Sequence, residues 1–182
     1  MDTSRWTKTI DQVTHDFKAS FGALNERELN WKPTPTAWSI AQNIDHLIVI
    51  NTTYFPLLMK LREGKLDIPW IGKINFMVNW FGKVILKSVQ PDRKKKMKTF
   101  PLWEPSQSAL PIDILLRFEK HQSELKTMIE SCRELLDAHA VMLSPANKNI
   151  VYKLETAFDI ITTHERRHFE QAKEVLNLLP RN

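Results

Sequence analysis

The chain has 182 residues, enough for one domain of ordinary size with a sizeable buried core. Only four are glycine (Gly22, Gly64, Gly72, Gly82), and no two lie close enough to cradle a phosphate, which excludes Walker-type and dinucleotide-binding loops and argues against a small β-barrel. The formal charge of +5 is local: Arg93, Lys94, Lys95, Lys96 and Lys98 fall together, and the rest carries 21 basic against 21 acidic residues.

Apolar residues spaced alternately three and four apart mark four helical segments. The first carries Trp6, Ile10, Val13, Phe17 and then Phe21 or Leu24. The connection from Asn25 to Ala37 contains Pro33 and Pro35 and reads as a turn. The second helix starts with Ser39 as N-cap and runs Ile40, Ile44, Leu47, Asn51, Tyr54, Leu58, Leu61. Pro56 lies inside it and should kink it or end it early. The third follows Pro111 with Leu115, Phe118, Gln122, Leu125, Ile129, Cys132, Leu136. The fourth starts between Asn149 and Leu154 and carries Leu154, Ala157, Ile161, His164, His168, Gln171, Val175, Leu178. Four helices of about 20 to 30 residues predict an all-α four-helix bundle with shallow left-handed packing. Residues 1–182 form a single domain in this reading. The connection from Gly64 to Pro105 is far longer than a bundle loop needs, so the up-down order of the last two helices stays open.

The single cysteine, Cys132, excludes an internal disulfide and a four-cysteine zinc site; on its apolar stripe it reads as a core residue. The N-terminal Met1-Asp2-Thr3-Ser4-Arg5 has no apolar stretch of a secretory signal. Both features fit a reducing cytoplasm, the expected location.

The fourth stripe breaks the apolar pattern. His164 and His168 stand where the period asks for Leu or Ile, and at i, i+4 both imidazoles can reach one metal ion. Buried imidazoles need partners for their nitrogens. Hydrogen bonds to neighbouring helices would supply them, and so would a divalent cation, for which neutral histidine is the commonest ligand. His46, about two turns into the second helix, can enter the same interior and complete a three-histidine set. Three histidines with an open position is the pattern of a catalytic zinc site. Water bound there yields hydroxide near neutral pH, and a thiol binds as thiolate. His15, His121 and His139 read as ordinary. His164-Glu165-Arg166-Arg167-His168 also matches the H-E-x-x-H helix of zinc proteases. Those enzymes take a third ligand downstream, where Gln171 and Glu174 replace the metzincin glycine and histidine. The discriminator is whether ligand three is His46 or a downstream carboxylate.

Three passages in order are similar to the DinB/YfiT-like superfamily. Trp38-Ser39-Ile40-Ala41-Gln42-Asn43-Ile44-Asp45-His46-Leu47 resembles its W-S-I-x-Q-x-x-x-H-L segment. His164-Glu165-Arg166-Arg167-His168-Phe169-Glu170-Gln171 resembles its H-x-x-R-H-x-x-Q signature. Lys98-Thr99-Phe100-Pro101-Leu102-Trp103-Glu104-Pro105-Ser106 is similar to K-x-P-x-x-F-x-P-S in one branch, with Phe100 at the first proline and Trp103 at the aromatic. The resemblance implies a four-helix bundle holding a divalent metal, zinc or nickel, through His46, His164 and His168. It implies a metal-dependent hydrolase or small-thiol transferase, a small-molecule substrate such as a low-molecular-weight thiol, and a homodimer. Two residues beside the histidines are candidate catalytic groups. Glu165 could orient an imidazole or shuttle a proton, or stand solvated; Gln171 could bind a ligand or pair within the core. Asn43, Asn51 and Tyr54 add polar atoms near the second helix's inner face.

Within the long connection, Ile68–Val89 mixes Trp70, Phe76, Trp80 and Phe81 with Lys73, Lys83 and Lys87. It is expected to pack across the bundle as a short helix; a lid over the metal site is the next reading, an anionic membrane surface is the third, and a membrane partner is not expected. Nucleic acid is not expected, because the basic run lacks interleaved aromatics and reads as a solvated loop. The competing functional classes are a non-catalytic metal-binding or stress-associated module and a basic peripheral membrane protein.

Overall fold

Helix α1 (Ser4–Phe21) buries Trp6, Ile10, Val13, Phe17 and Phe21, the positions its spacing selects. A computed structural model describes residues 2–92 and 99–180, so the basic run at 93–98 lies outside the described residues. The stretch expected to be a plain turn instead contains a short helix, α2 (Glu26–Asn30). A capping box starts it: Asn25 accepts from the Glu28 N–H while the Glu28 carboxylate accepts from the Asn25 N–H. The side chain of Asn30 then pairs with both backbone groups of Leu110, at 2.7 and 2.8 Å, and fixes the approach to the third long helix.

Ser39 caps α3 (Ile40–Thr52) as expected, again through a capping box, here with Gln42. Pro56 ends this helix early. Its ring conflicts with a helical carbonyl four residues back, and α3 stops at Thr52. The chain restarts as α4 (Phe55–Arg62), with the proline in its first turn, where a missing N–H costs nothing. The stripe continues through the break, with Tyr54 and Leu58 buried.

Beyond Gly64 comes a 3₁₀ turn at Trp70–Lys73, helix α5 (Asn75–Ser88), and a second 3₁₀ turn at Pro101–Trp103. The third stripe forms α6 (Ile114–Glu130) and a short α7 (Arg133–Asp137), with Cys132 buried at the junction. The expected helix lengths are therefore shortened by breaks in the second and third segments. The all-α expectation is corrected as well: strands β1 (Val141–Ser144) and β2 (Asn147–Lys153) form an antiparallel hairpin before α8 (Leu154–Leu178). The pairs Met142–Tyr152 and Leu143–Val151 face each other across it, and all four side chains are buried. The described residues are mostly helical with one small sheet.

Helices α1, α3, α6 and α8 pack on one another, and α5 packs on β2 and α8. The apolar interior forms two main clusters. One gathers Trp6, Ile10, Leu58, Leu125 and Phe158; the other gathers Phe17, Phe21, Ile44, Phe118 and Ala172. Along α3, α6 and α8 the residues between the clusters are polar: Asn51, then His121 and Gln122, then His164, Glu165 and His168. The chemistry of this protein lies in that polar layer.

Close approach of α5 depends on Gly82. A Cβ there would stand 3.0 Å from Cγ2 of Thr156 and 3.5 Å from Cβ of Tyr152. Gly82→Leu should lift α5 off the hairpin and lower stability by about 1–3 kcal/mol, read as a drop in urea midpoint at unchanged slope.

Candidate metal centre

The polar half of α3 is covered by an extended strap. Gln42, Asp45 and His46 lie at i, i+3 and i+4 and so share one face of the helix. Each meets the strap: Gln42 Nε2 donates to the Ser106 carbonyl at 2.8 Å, and the Ser106 N–H donates to Asp45 at 2.9 Å. His46 Nδ1 lies 2.6 Å from the Trp103 carbonyl. A carbonyl only accepts, so Nδ1 carries the proton and Nε2 of His46 keeps its lone pair.

A second relay sets His168 the same way. The Asn43 amide donates from Nδ2 to the Ser39 carbonyl at 2.9 Å, which turns Oδ1 toward His168. His168 Nδ1 lies 2.8 Å from that oxygen and donates to it. Its Nε2 faces Nε2 of His164 at 3.0 Å. The three rings close on one point, with centroids 4.4 Å apart for His164–His168, 4.6 Å for His46–His168 and 5.2 Å for His46–His164. One nitrogen from each lies within 4.8 Å of the others. Trp38 covers the cluster, 4.8 Å from the His46 ring and stacked at 5.8 Å on that of His168.

Burial holds His164 and His168 well below the ordinary histidine range, reinforced by the neighbouring imidazoles and Arg167. Burial also lowers His46, against the raising effect of the Trp103 carbonyl. All three are therefore neutral at pH 7, the form that ligates metals. Lone pairs held toward one point, with the opposite nitrogens of His46 and His168 anchored, are what a divalent cation requires. The residues present fit a metal. His46 on α3 is the third histidine beside the pair.

Glu165 is completely buried but turned away from the imidazoles. Its Oε1 accepts from Asn51 Nδ2 at 2.8 Å and its Oε2 from Gln122 Nε2 at 3.0 Å. Burial pushes its carboxyl up to about 7, while the two amides favour the charged form. Gln171 is half-buried one turn beyond His168. Tyr54 pairs with Tyr152 at 3.2 Å in the apolar cluster, away from the histidines. His121, read as ordinary, is buried against the Phe55 ring at 5.4 Å and held down to about 4 by desolvation.

Sequence reasoning gave the Trp103 carbonyl no part in the site, because a backbone acceptor leaves no residue-type signal. Trp38 was marked only as a motif position, and Asn43 only as a polar group near the inner face of the second helix. Removing that relay is a direct test: Asn43→Ala should weaken divalent-metal affinity roughly 10–100-fold while leaving the helical circular dichroism unchanged.

Helical packing around a buried three-histidine donor set defines a class, that of helical proteins able to hold one divalent cation. The chain belongs to the DinB superfamily, whose model matches residues 9–172. It is similar to uncharacterized protein YuaE of Bacillus subtilis (strain 168), 27% identical over 159 residues that cover 87% of this chain and 89% of that one. No solved structure shows a significant match.

Proposed function

We propose that the protein is a divalent-metal-dependent enzyme that brings water or a low-molecular-weight thiol to a small-molecule substrate, for hydrolysis or group transfer, in the cytoplasm. The observation that carries this reading is the pair of Nδ1 anchors. They hold His46 and His168 as neutral ligands directed, with His164, at one point. Three imidazoles suit zinc or nickel, and such an ion supplies Lewis acidity that lowers the pKa of water or a thiol. Residues 1–182 act as one domain in this reading, with α1, α3–α4, α6–α7 and α8 as the four members of the family's bundle.

The chain's own groups have distinct tasks. Asn43 and the Trp103 carbonyl fix the tautomers. Trp38 shields the rings from bulk water. Nε1 of Trp103, buried with no acceptor among the described residues, donates to a bound small molecule. Gln171 contacts that molecule from the next turn of α8. Glu165 is a positioning residue: by holding Asn51 and Gln122 it sets the rotation of α8, and with it the direction of both α8 histidines.

The test is turnover by zinc- or nickel-loaded full-length protein, using a panel of thiol–electrophile pairs and simple esters and amides. Turnover that disappears in His46→Ala supports the reading. Stoichiometric metal with no turnover across the panel would favour a non-catalytic metal-binding module.

A further inference from the structure

The long connection does form a short packed helix, α5, but several of its aromatic residues face outward. Trp70 is 73% exposed, Phe76 74%, Trp80 48% and Val84 45%. Phe76, Trp80 and Val84 recur at intervals of four on α5 and so form one stripe along its outer face. At 100° per residue, Lys83 and Lys87 fall on that same stripe, and both are exposed. Val78 and Gly82, on the opposite side, are the buried anchors against the hairpin and α8. Arg167 secures the far end of α5 by donating to the Ser88 carbonyl at 2.9 Å. The aromatic face is therefore held outward by the fold.

Its charge is one-sided. From Ile68 to Pro91 the chain has Lys73, Lys83 and Lys87 and not one of its 21 carboxylates. No helix among the described residues is long and apolar enough to cross a membrane. A helix that buries one face in its own protein and shows tryptophan, phenylalanine and lysine on the other suits the headgroup region of a bilayer. There aromatic rings sit at the interface, apolar side chains enter the acyl boundary, and lysines meet anionic phosphates. We propose that the outer face of α5, with Trp70 and Lys73 at its entry, is a docking surface for an anionic phospholipid membrane, attaching the protein peripherally.

Two other occupants fit less well. A two-fold contact with a second copy would bring together two faces that both carry only positive charge, an arrangement that opposes association. Single-stranded nucleic acid needs a groove tracking the backbone, and the stripe lies on the convex outer side of a helix. The following run Arg93–Lys98 lies outside the described residues, and the proposal does not rest on it.

The experiment is co-sedimentation of the full-length protein with vesicles of phosphatidylcholine alone and with 30% phosphatidylserine, at low and high salt. The expected result is binding to the anionic vesicles only, weakened by salt. It should fall about fivefold for each lysine replaced in Lys73→Gln, Lys83→Gln and Lys87→Gln, and at least tenfold in the double variant Phe76→Ala/Trp80→Ala. All these positions are exposed, so circular dichroism and bound metal should match the parent. Equal partition to both vesicle types would overturn the proposal, as would anionic binding unchanged in the double variant. A concentration-dependent dimer abolished by Phe76→Ala/Trp80→Ala would assign the face to a second copy instead. Binding to single-stranded DNA with none to anionic vesicles would assign it to nucleic acid.

Discussion

Full-length protein carrying His46→Ala or His168→Ala is expected to lose its bound divalent metal while keeping its helical content. The loss should exceed the roughly 10–100-fold that follows when only a ligand's supporting partner is removed. In each variant two imidazoles remain, and the vacated space lies under Trp38 and the strap, where no other acidic or imidazole group among the described residues joins the cluster. Because burial lowers all three pKa values, protons compete weakly for these nitrogens. The parent protein should hold its ion as pH falls through 6.5, the ordinary histidine value, and release it only in stronger acid. Equilibrium dialysis against zinc and nickel at several pH values measures both statements. Unchanged metal content in His46→Ala would remove α3 from the site.

The second large effect concerns the polar layer. Asn51→Leu is expected to cost about 3 kcal/mol at pH 8, because it strips a donor from a fully buried carboxylate. The sign of the pH dependence follows from Glu165. Its folded pKa, about 7, lies above the ordinary value of 4.5, so the native state holds this proton more tightly than the unfolded chain. Its contribution to stability is full below pH 4.5 and is lost as pH rises through 7, up to about 3 kcal/mol at about 1.4 kcal/mol per unit. Removing Asn51 withdraws support from the charged form alone. The cost of Asn51→Leu should therefore shrink between pH 8 and pH 5.5. The buried histidines have the opposite slope, losing stability as pH falls below 6.5, but that term is common to parent and variant. Urea unfolding of both proteins at the two pH values decides the matter, and an equal cost at both would show that Glu165 does not change its protonation state between them.

Much of this was legible in the sequence because helical periodicity is a local signal. Trp6, Ile10, Val13, Phe17 and Phe21 announced α1, and Ser39 announced the start of α3. The histidines were legible for a related reason: a polar residue is conspicuous on a stripe that is apolar at Ile161 before it and at Val175 beyond it. Asn51 and Gln122 stood on their stripes in the same way. What spacing could not show was that they belong to Glu165, a contact that spans 114 residues from Asn51 and 43 from Gln122. Glu165 itself sits beside a ligand in sequence but 100° around the helix from it, which turns the carboxylate away from the imidazoles.

The hairpin was missed for a different reason. Its apolar run Ile150-Val151-Tyr152 abuts the stripe that begins at Leu154, and a three-and-four template passes over both. The strand depends on packing from α5, an element distant in sequence. Exposure of Trp70, Phe76 and Trp80 was equally unreadable, since aromatic residues in a helix usually mark its buried face. Here the inward side of α5 was already taken by Val78 and Gly82.

His46, His164 and His168 are proposed to hold one divalent ion together. X-ray absorption on the zinc-loaded full-length protein, paired with elemental analysis, tests it most directly. The expected result is one zinc per chain and three imidazole nitrogens at about 2.0–2.1 Å, with one imidazole fewer in any His→Ala variant of the three. Zinc that fails to bind stoichiometrically, or a ligand shell unaltered by those substitutions, would contradict it.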